Sequence, residues 1–241
     1  MGNFKNLIIF TGTGRSIDYT FKNIKENIIE SLNESDVIIL LSDNPHASRV
    51  QEYFSELPQV KKIIVEKEIE QDISNILFRP NWPNKNSSRQ IYMKMINQRK
   101  RCNEIIDLYE KENNIVYERV VFSRLDVKYF DQLSPHIVNL DNKYLYIPDF
   151  HNTFGGVVDG YNDRFVVANR QDIKVYFNVP DSIGKYNRLG GRISAESLLK
   201  WHLLTNGIIA KKIPYRFTRV RNNGEEIDNR LKKPNLQRSD T

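Results

Sequence analysis

Short apolar runs, separated by longer amphipathic stretches, recur along this chain. The runs Leu7–Phe10, Val37–Leu41, Ile63–Val65 and Val120–Phe122 are three to five residues long and rich in Ile and Val. Such runs are typical of strands that are buried on both faces. Strands that alternate with helices form parallel sheets through right-handed crossovers. The pattern therefore predicts a Rossmann-like α/β fold, with a mostly parallel central sheet flanked by helices.

Helical spacing of apolar residues predicts what lies between these runs. The stretch from Phe21 to Leu32 is apolar at every third or fourth residue, and a second stripe runs from Ile91 to Tyr109. Cys102, the single cysteine, falls on the second stripe and is expected to be a core thiol. One buried cysteine excludes an internal disulfide framework and a thiolate zinc cluster, and it argues against a cysteine nucleophile.

The second half of the chain contains more loops. Tyr144–Pro148 and Phe165–Ala168 are predicted strands, and Ser194 suits the N-cap of a helix over Ala195–Thr205. Residues 79–88 are rich in Pro, Asn and Ser, so they are expected to be irregular.

Length and charge predict one domain followed by a tail. The chain has 241 residues, so residues 1–221 are expected to form the domain, and the polar segment 222–241 to be flexible. The net charge is +6, and residues 211–241 hold nine Lys or Arg against four Asp or Glu. This excess suits an anionic partner (nucleic acid, a phospholipid surface or a phosphorylated substrate) or a solvated tail that maintains solubility. No apolar run approaches the ~20 residues of a membrane span.

The turn after the first predicted strand, residues 11–16, reads Thr-Gly-Thr-Gly-Arg-Ser. Backbone N–H groups of a glycine-bearing turn at a helix start can bind an anion or a nucleotide. An ordinary turn would need glycine only for positive φ, but Arg15 adds a charge that such a turn does not require. The segment is not G-x-G-x-x-G and lacks the Lys-Ser/Thr of a P-loop. Thr11, Gly12, Gly14 and Arg15 are therefore candidates for binding a nucleotide cofactor.

Arg124 and Asp126 follow the apolar run Val120–Phe122. In open α/β sheets, ligands bind beyond the carboxyl ends of the strands. A carboxylate there can hold a divalent cation that in turn binds a diphosphate, and an arginine can bind phosphate directly. The alternative is an ion pair that caps the end of the strand.

Two further groups combine features of a substrate site. Gly155, Gly156, Asp159 and Asn162 belong to segments in which glycines allow close approach and polar groups can bind sugar hydroxyls, although a surface turn has the same composition. Glu196 falls in the first turn of the helix over Ala195–Thr205. There it either stabilises the helix dipole or acts as a general base toward an acceptor hydroxyl.

The order of these motifs is similar to that of bacterial and viral glycosyltransferases of the GT-A fold. These families combine a Gly-Arg turn, an Asp-Val strand start, a long helix with a basic start and a Tyr-Glu pair, then Arg-x-Asp, Asn-Asp-x-Phe and a helix that opens with Glu. The matching segments are Gly14-Arg15-Ser16, Asp36-Val37, Lys94–Arg101, Tyr109-Glu110, Arg124-Leu125-Asp126, Asn162–Phe165 and Glu196. The resemblance covers about residues 1–215.

The resemblance implies a GT-A fold and a hexosyltransferase-like enzyme. Such an enzyme moves a sugar from a nucleotide-sugar donor, by default a UDP-sugar, to a hydroxyl of a glycan, a lipid-linked acceptor or a protein. Gly14 and Arg15 would border the nucleotide. Asp126 would hold Mn²⁺ or Mg²⁺ across the donor diphosphate.

The same resemblance implies the catalytic residues. Glu196 would be the general base of an inverting reaction, and Asp163 or Asp159 would hold the sugar or the acceptor. Arg124 occupies the position of the first carboxylate of the Asp-x-Asp motif, which leaves one carboxylate for the metal. A cation at that position could partly replace the metal ion.

Two other functions remain as alternatives at this point. A nucleotide-binding or nucleotidyltransferase-like protein without sugar transfer would carry a Lys after the first strand, where this chain has Arg15. A nucleic-acid-binding protein would interleave aromatic and basic residues, but only Tyr215 and Phe217 do so. No nucleic-acid partner is therefore expected. The expected location is the cytoplasm, with weak electrostatic association of the tail with a membrane surface.

Overall fold

The computed structural model describes residues 5–32, 34–80, 86–150 and 160–227. The strands are β1 (Asn6–Gly12), β2 (Ser35–Ser42), β3 (Val60–Glu66), β4 (Arg119–Arg124), β5 (Val127–Tyr129), β6 (Tyr146–Pro148), β7 (Phe165–Asn169), β8 (Lys211–Ile213) and β9 (Phe217–Arg219). The helices are α1 (Ile17–Ile24), α2 (Ala47–Phe54), α3 (Asn86–Asn113), α4 (Ser134–Ile137), α5 (Arg170–Phe177), α6 (Ile183–Arg188) and α7 (Ala195–Thr205). A π-helical turn, Lys25–Ile29, continues α1, and a 3₁₀ turn, Val179–Ser182, precedes α6.

Across the described residues, a seven-stranded sheet runs in the order β3-β2-β1-β4-β7-β6-β8. The four strands β3, β2, β1 and β4 are parallel, as the strand–helix alternation predicts. β7 then runs antiparallel to both β4 and β6, and β8 is parallel to β6. β5 and β9 form a separate antiparallel pair. The result is a single α/β domain with a mostly parallel sheet, which confirms the predicted fold class.

Both faces of the central strands are buried. Leu7 and Ile9 of β1 pack in one apolar cluster with the α3 residues Cys102 and Ile106. Ile8 and Phe10 point to the other face and pack in a second cluster with α1 and α2. The helices therefore cover the sheet on both sides, and Cys102 is a core thiol as predicted. Burial raises the pKa of this thiol, which makes a thiolate nucleophile unfavourable.

The predicted strands and the α7 helix are present. Ser194 accepts a hydrogen bond from the Ser197 N–H and caps α7 as expected. α1 begins at Ile17, before the predicted start, and α2 was not predicted because its eight residues carry a short apolar stripe. α3 begins at Asn86, inside the segment expected to be irregular, and residues 81–85 of that segment lie outside the described residues.

The turn after β1 depends on glycine at position 14. Gly14 has φ of +70°, a left-handed conformation that other residues adopt at a cost. A Cβ at this position would also lie 2.3 Å from Cγ2 of Val50 in α2. The turn therefore packs directly against α2, which fixes the position of Arg15 at the start of α1.

The C-terminal part of the described chain returns to the end of β4. The Val220 N–H donates to the Asp126 carbonyl at 2.9 Å, and Ser16 Oγ donates to the Val220 carbonyl at 2.7 Å. Residues 222–227, part of the segment expected to be flexible, form a turn in which the Ile227 N–H donates to the Arg219 carbonyl. Residues 228–241 lie outside the described residues, and the boundary at residue 221 stays a prediction. Among the described helices, none combines the length and the apolar character needed to cross a bilayer.

Candidate functional site

The ends of β1 and β4 bring the two predicted motifs side by side. Thr11 is the register partner of Arg124, and the Leu125 N–H donates to the Thr11 carbonyl at 3.2 Å. Thr20 Oγ1 of α1 donates to the Leu125 carbonyl at 2.8 Å. The turn at residues 11–16 and the segment 124–126 are therefore held together by hydrogen bonds at the carboxyl edge of the sheet.

A cavity of about 190 Å³ lies at this edge. Its walls come from the ends of β1, β2 and β4 and from α3. It is lined by Thr11, Gly12, Thr13, Gly14, Arg15, Ser42, Glu68, Ile91, Lys94, Met95, Gln98, Arg124, Leu125 and Asp126. All the residues expected to bind the nucleotide cofactor thus border one space.

Arg124 and Asp126 form a bidentate ion pair on the wall of the cavity. Nε and Nη2 of Arg124 donate to Oδ1 and Oδ2 of Asp126 at 2.8 and 2.6 Å. The strand-end ion pair considered from the sequence is therefore present. Arg15 approaches the same carboxylate, with its Nη2 4.0 Å from Oδ2 of Asp126.

Asp126 stays ionised in this environment. Its burial opposes the charge, but the guanidinium of Arg124, and more distantly those of Arg15 and Arg164, outweigh burial and hold the pKa of Asp126 below its ordinary value of 3.8. The carboxylate is thus a fixed negative charge enclosed by arginines.

The donor set at Asp126 does not fit the Mn²⁺ or Mg²⁺ site that the resemblance implies. Both carboxylate oxygens already accept hydrogen bonds from Arg124, and a dication at this point would also face the charge of Arg15. Within the described ranges, no group of three or more His, Cys, Asp or Glu side chains is placed to hold a metal ion. His151 and Asp159 lie outside those ranges.

The reversal of strand direction at β7 brings a second group of charges to the same edge. Because β7 is antiparallel to β4, with Phe165 opposite Ser123, the residues just before β7 lie beside the residues just after β4. These residues include Asp163 and Arg164. Strand direction therefore places them near Arg124 although about forty positions separate them in sequence.

Asp163 is buried and paired with Arg99 of α3. Nη2 of Arg99 lies 2.7 Å from Oδ2 of Asp163 and 2.7 Å from its carbonyl oxygen. Burial opposes the charge of Asp163, but Arg99 and Arg164 outweigh it and lower the pKa of this carboxyl well below 3.8. Since only about 2% of the residue is exposed, Asp163 positions α3 and the loop before β7.

Arg164 lies near both Glu196 and Asp163 and so connects Glu196 to this pair. Nη2 of Arg164 is 3.8 Å from Oε1 of Glu196, and Nη1 of Arg164 is 3.9 Å from Oδ1 of Asp163. Burial, followed by the negative charge of Asp163, raises the pKa of Glu196 above its ordinary value of 4.5. A raised pKa suits a carboxylate that exchanges a proton near neutral pH. Glu196 does not line the cavity described above.

The predicted substrate-binding residues are only partly described. Asn162 is fully buried, donates to the Phe150 carbonyl and accepts from the Arg164 N–H, so its amide shapes the turn before β7. Its contact with a sugar stays a prediction. Gly155, Gly156 and Asp159 lie outside the described residues.

A family model described as "Domain of unknown function (DUF7796)" matches residues 3–224. This chain belongs to the DUF7796 family. No curated protein matches its sequence.

Two solved structures align with this DUF7796 member. The crystal structure of an active-site mutant of LgtC aligns with a TM-score of 0.51 and 13% identity, over 85% of this chain and 72% of LgtC. The apo form of the glycosyltransferase GlyE from Streptococcus pneumoniae TIGR4 aligns with a TM-score of 0.46 and 15% identity, over 86% of this chain. The match spans 45% of the GlyE chain, less than half of its length. At such identities, the likeness to LgtC shows a common fold.

The DUF7796 chain also brings to the cavity residues of α3 that the sequence analysis matched as a basic helix start but did not assign to the site. Lys94 and Gln98 of α3 face Ser42 and Glu68, and Nζ of Lys94 lies 3.1 Å from Oε2 of Glu68. The sequence contained a signal that could have identified these residues, because Ile91, Lys94 and Gln98 recur at helical spacing on one side of α3. Lys94 and Gln98 also border an adjoining cavity of about 200 Å³, which extends the cleft along α3 toward β3.

The Arg99–Asp163 pair is expected to stabilise the fold strongly. Asp163→Asn would leave Arg99 buried without a counter-charge, which should lower the free energy of unfolding by about 3–5 kcal/mol. The pKa of Asp163 is lower in the folded protein than in the unfolded chain. Its contribution to the free energy of unfolding is therefore present at pH values above the unfolded pKa, and it is lost as pH falls below about 4. Urea unfolding at pH 7 and pH 3 should therefore show a large difference between wild type and variant at pH 7, and a smaller one at pH 3.

Asp181→Asn is the matched control, because Asp181 pairs with the neighbouring α3 residue Lys100 at 2.5 Å on the exposed surface. Asp181→Asn should lower the free energy of unfolding by less than about 1 kcal/mol. Equal costs for both variants would contradict the structural role assigned to Asp163.

Proposed function

We propose that this chain is a glycosyltransferase that moves a hexose from a nucleotide-sugar donor, by default a UDP-sugar, to a hydroxyl of a glycan, glycolipid or protein. The observation that carries the proposal is the cavity beyond the ends of β1 and β4, with Arg15 and Arg124 on its wall. The fold shared with LgtC, a glycosyltransferase of the GT-A type, supports it. The enzyme would act in the cytoplasm, and its basic C-terminus would associate weakly with anionic membranes.

The cleft offers one region to each part of the donor. The diphosphate would lie against Arg15 and Arg124, beside the backbone N–H groups of the glycine-bearing turn and the positive end of the α1 dipole. The nucleoside would extend into the adjoining cavity, where Glu68 and Gln98 offer hydrogen-bonding groups. The sugar would then face the region of Arg164 and Glu196.

The proposed reaction is a displacement at the anomeric carbon. The acceptor oxygen forms a bond to this carbon while the bond between the carbon and the diphosphate oxygen breaks, and the electron pair of that bond leaves with the nucleoside diphosphate. In an inverting reaction, Glu196 takes the acceptor proton. In a retaining reaction Glu196 has no such role. Asp163 holds Arg99 and Arg164 in place and is a positioning residue.

A nucleotide should stabilise the protein against heat. A ligand at about 100 times its dissociation constant contributes about 2.7 kcal/mol, which corresponds to a rise of about 5–10 °C in Tm for a domain of this size. Thermal shift with UDP, GDP and CMP, each with and without Mn²⁺, should show such a rise for one of them. Absence of any shift, together with binding to an oligonucleotide, would contradict the proposal and favour a nucleic-acid-binding protein.

Glu196→Gln should separate the two stereochemical courses. If Glu196 is the base, the variant should lose about 10²–10⁴-fold in kcat at neutral pH. The base acts only when it is ionised, so kcat/KM of the wild type should fall as pH drops through the raised pKa of Glu196, above 4.5. The kcat/KM of the variant should not show this fall at acidic pH.

Glu112→Gln is the control, because Glu112 lies exposed near the end of α3. Its pH profile should match that of the wild type. Full activity of Glu196→Gln would show that Glu196 is not a base, as in a retaining reaction.

A further inference from the structure

The cavity wall carries more positive than negative charge. Arg15, Lys94 and Arg124 line it against the carboxylates of Glu68 and Asp126, and the charge of Arg164 also acts on Asp126. Nε and Nη1 of Arg164 are buried and have no hydrogen-bond partner among the described residues. Unpaired buried guanidinium nitrogens are costly unless a ligand or water satisfies them. Arg164 does not line the cavity, so its charge adds to the positive potential there through space.

We infer that Arg15 and Arg124, and not a divalent cation, neutralise the diphosphate of the donor, and that Asp126 is the counter-ion that orients Arg124. The inference rests on the proposed function and assigns the source of positive charge in that same site.

The geometry of Arg124 leaves it able to bind phosphate while paired. A guanidinium has five N–H donors, of which two are used on Asp126 and one points at Sδ of Met95 at 3.5 Å. The remaining donors are available to phosphate oxygens. Because the pair with Asp126 is bidentate, the plane of the guanidinium is fixed before a ligand arrives, which reduces the entropic cost of binding.

The side chain of Arg15 can change its orientation to reach the diphosphate. Its side chain is 43% exposed, and its nearest carboxylate, that of Asp126, lies beyond hydrogen-bond distance at 4.0 Å. It can therefore turn toward a diphosphate without breaking a hydrogen bond with Asp126. Its position at the start of α1 adds the positive end of the helix dipole.

These two cations suit the chemistry of the departing group. When the bond between the sugar and the diphosphate oxygen breaks, the electron pair remains on that oxygen and the negative charge on the diphosphate increases. Charge-assisted hydrogen bonds from guanidinium groups stabilise this charge. These hydrogen bonds stabilise the leaving group without transfer of a proton from either guanidinium.

Calorimetric titration of the full chain with nucleoside diphosphates tests the inference directly. UDP, GDP, CDP and ADP are titrated in excess EDTA and again with saturating Mn²⁺ or Mg²⁺. One diphosphate should bind in EDTA, with a dissociation constant that the metal changes by less than about tenfold. Arg124→Gln should weaken this binding by about 10- to 100-fold, and metal should not restore it.

Arg15→Gln is a second variant with little risk to folding, because Arg15 is half-exposed. It should also weaken binding in EDTA. Arg124→Lys keeps the charge but loses the bidentate geometry, so its affinity should fall between those of wild type and Arg124→Gln. Arg188→Gln, at the exposed end of α6, should bind as the wild type does.

Each contrary result has a distinct meaning. Binding that requires Mn²⁺ or Mg²⁺ would overturn the inference and leave the proposed function standing. Unchanged affinity in both Arg15→Gln and Arg124→Gln would also overturn it. If no diphosphate binds with or without metal, the proposed function itself fails, and the inference fails with it.

Discussion

Arg99 and Asp163 meet inside the protein, with Nη2 of Arg99 2.7 Å from Oδ2 of Asp163 and both side chains buried. Arg99 comes from the middle of α3, whereas Asp163 lies just before β7. Removing either partner would leave a charge in the core, so the pair holds the helix and the loop in one relative position. Through Arg164, the next residue, the same contact sets the surroundings of Glu196. The position of α3, which lines the cavity, and the surroundings of Glu196 are thus tied to a single buried interaction.

The change of strand direction between β4 and β7 explains why charges distant in sequence meet. In a wholly parallel sheet, the start of β7 would lie at the opposite edge from the end of β4. The antiparallel pairing instead puts Asp163 and Arg164 beside Arg124 and Asp126. Arginines and carboxylates then alternate along the edge, with the positive charges in excess. Such an edge can bind an anion as it stands, because its carboxylates already have arginine partners.

Much of the parallel half of the fold could be predicted from the sequence, because strands buried on both faces appear as continuous apolar runs. β1 and β4 were predicted for that reason, and with them the positions of Arg15 and Asp126 at strand ends. Short elements such as α2 and β9 carry too few apolar residues to show a period. Arg99 could not be predicted as a buried residue, because its partner lies 64 positions away. The ion pair between Arg124 and Asp126 was one of two interpretations that the sequence allowed. The sequence does not show that both carboxylate oxygens of Asp126 accept hydrogen bonds from Arg124.

The central claim is that a nucleoside diphosphate binds beyond the carboxyl ends of β1 and β4. A crystal structure of the full chain with the diphosphate that gives thermal stabilisation tests it most directly. The diphosphate should lie within hydrogen-bond distance of Arg15 and Arg124, with the nucleoside along α3. A nucleotide bound elsewhere on the protein, or a diphosphate held away from both arginines, would contradict the claim.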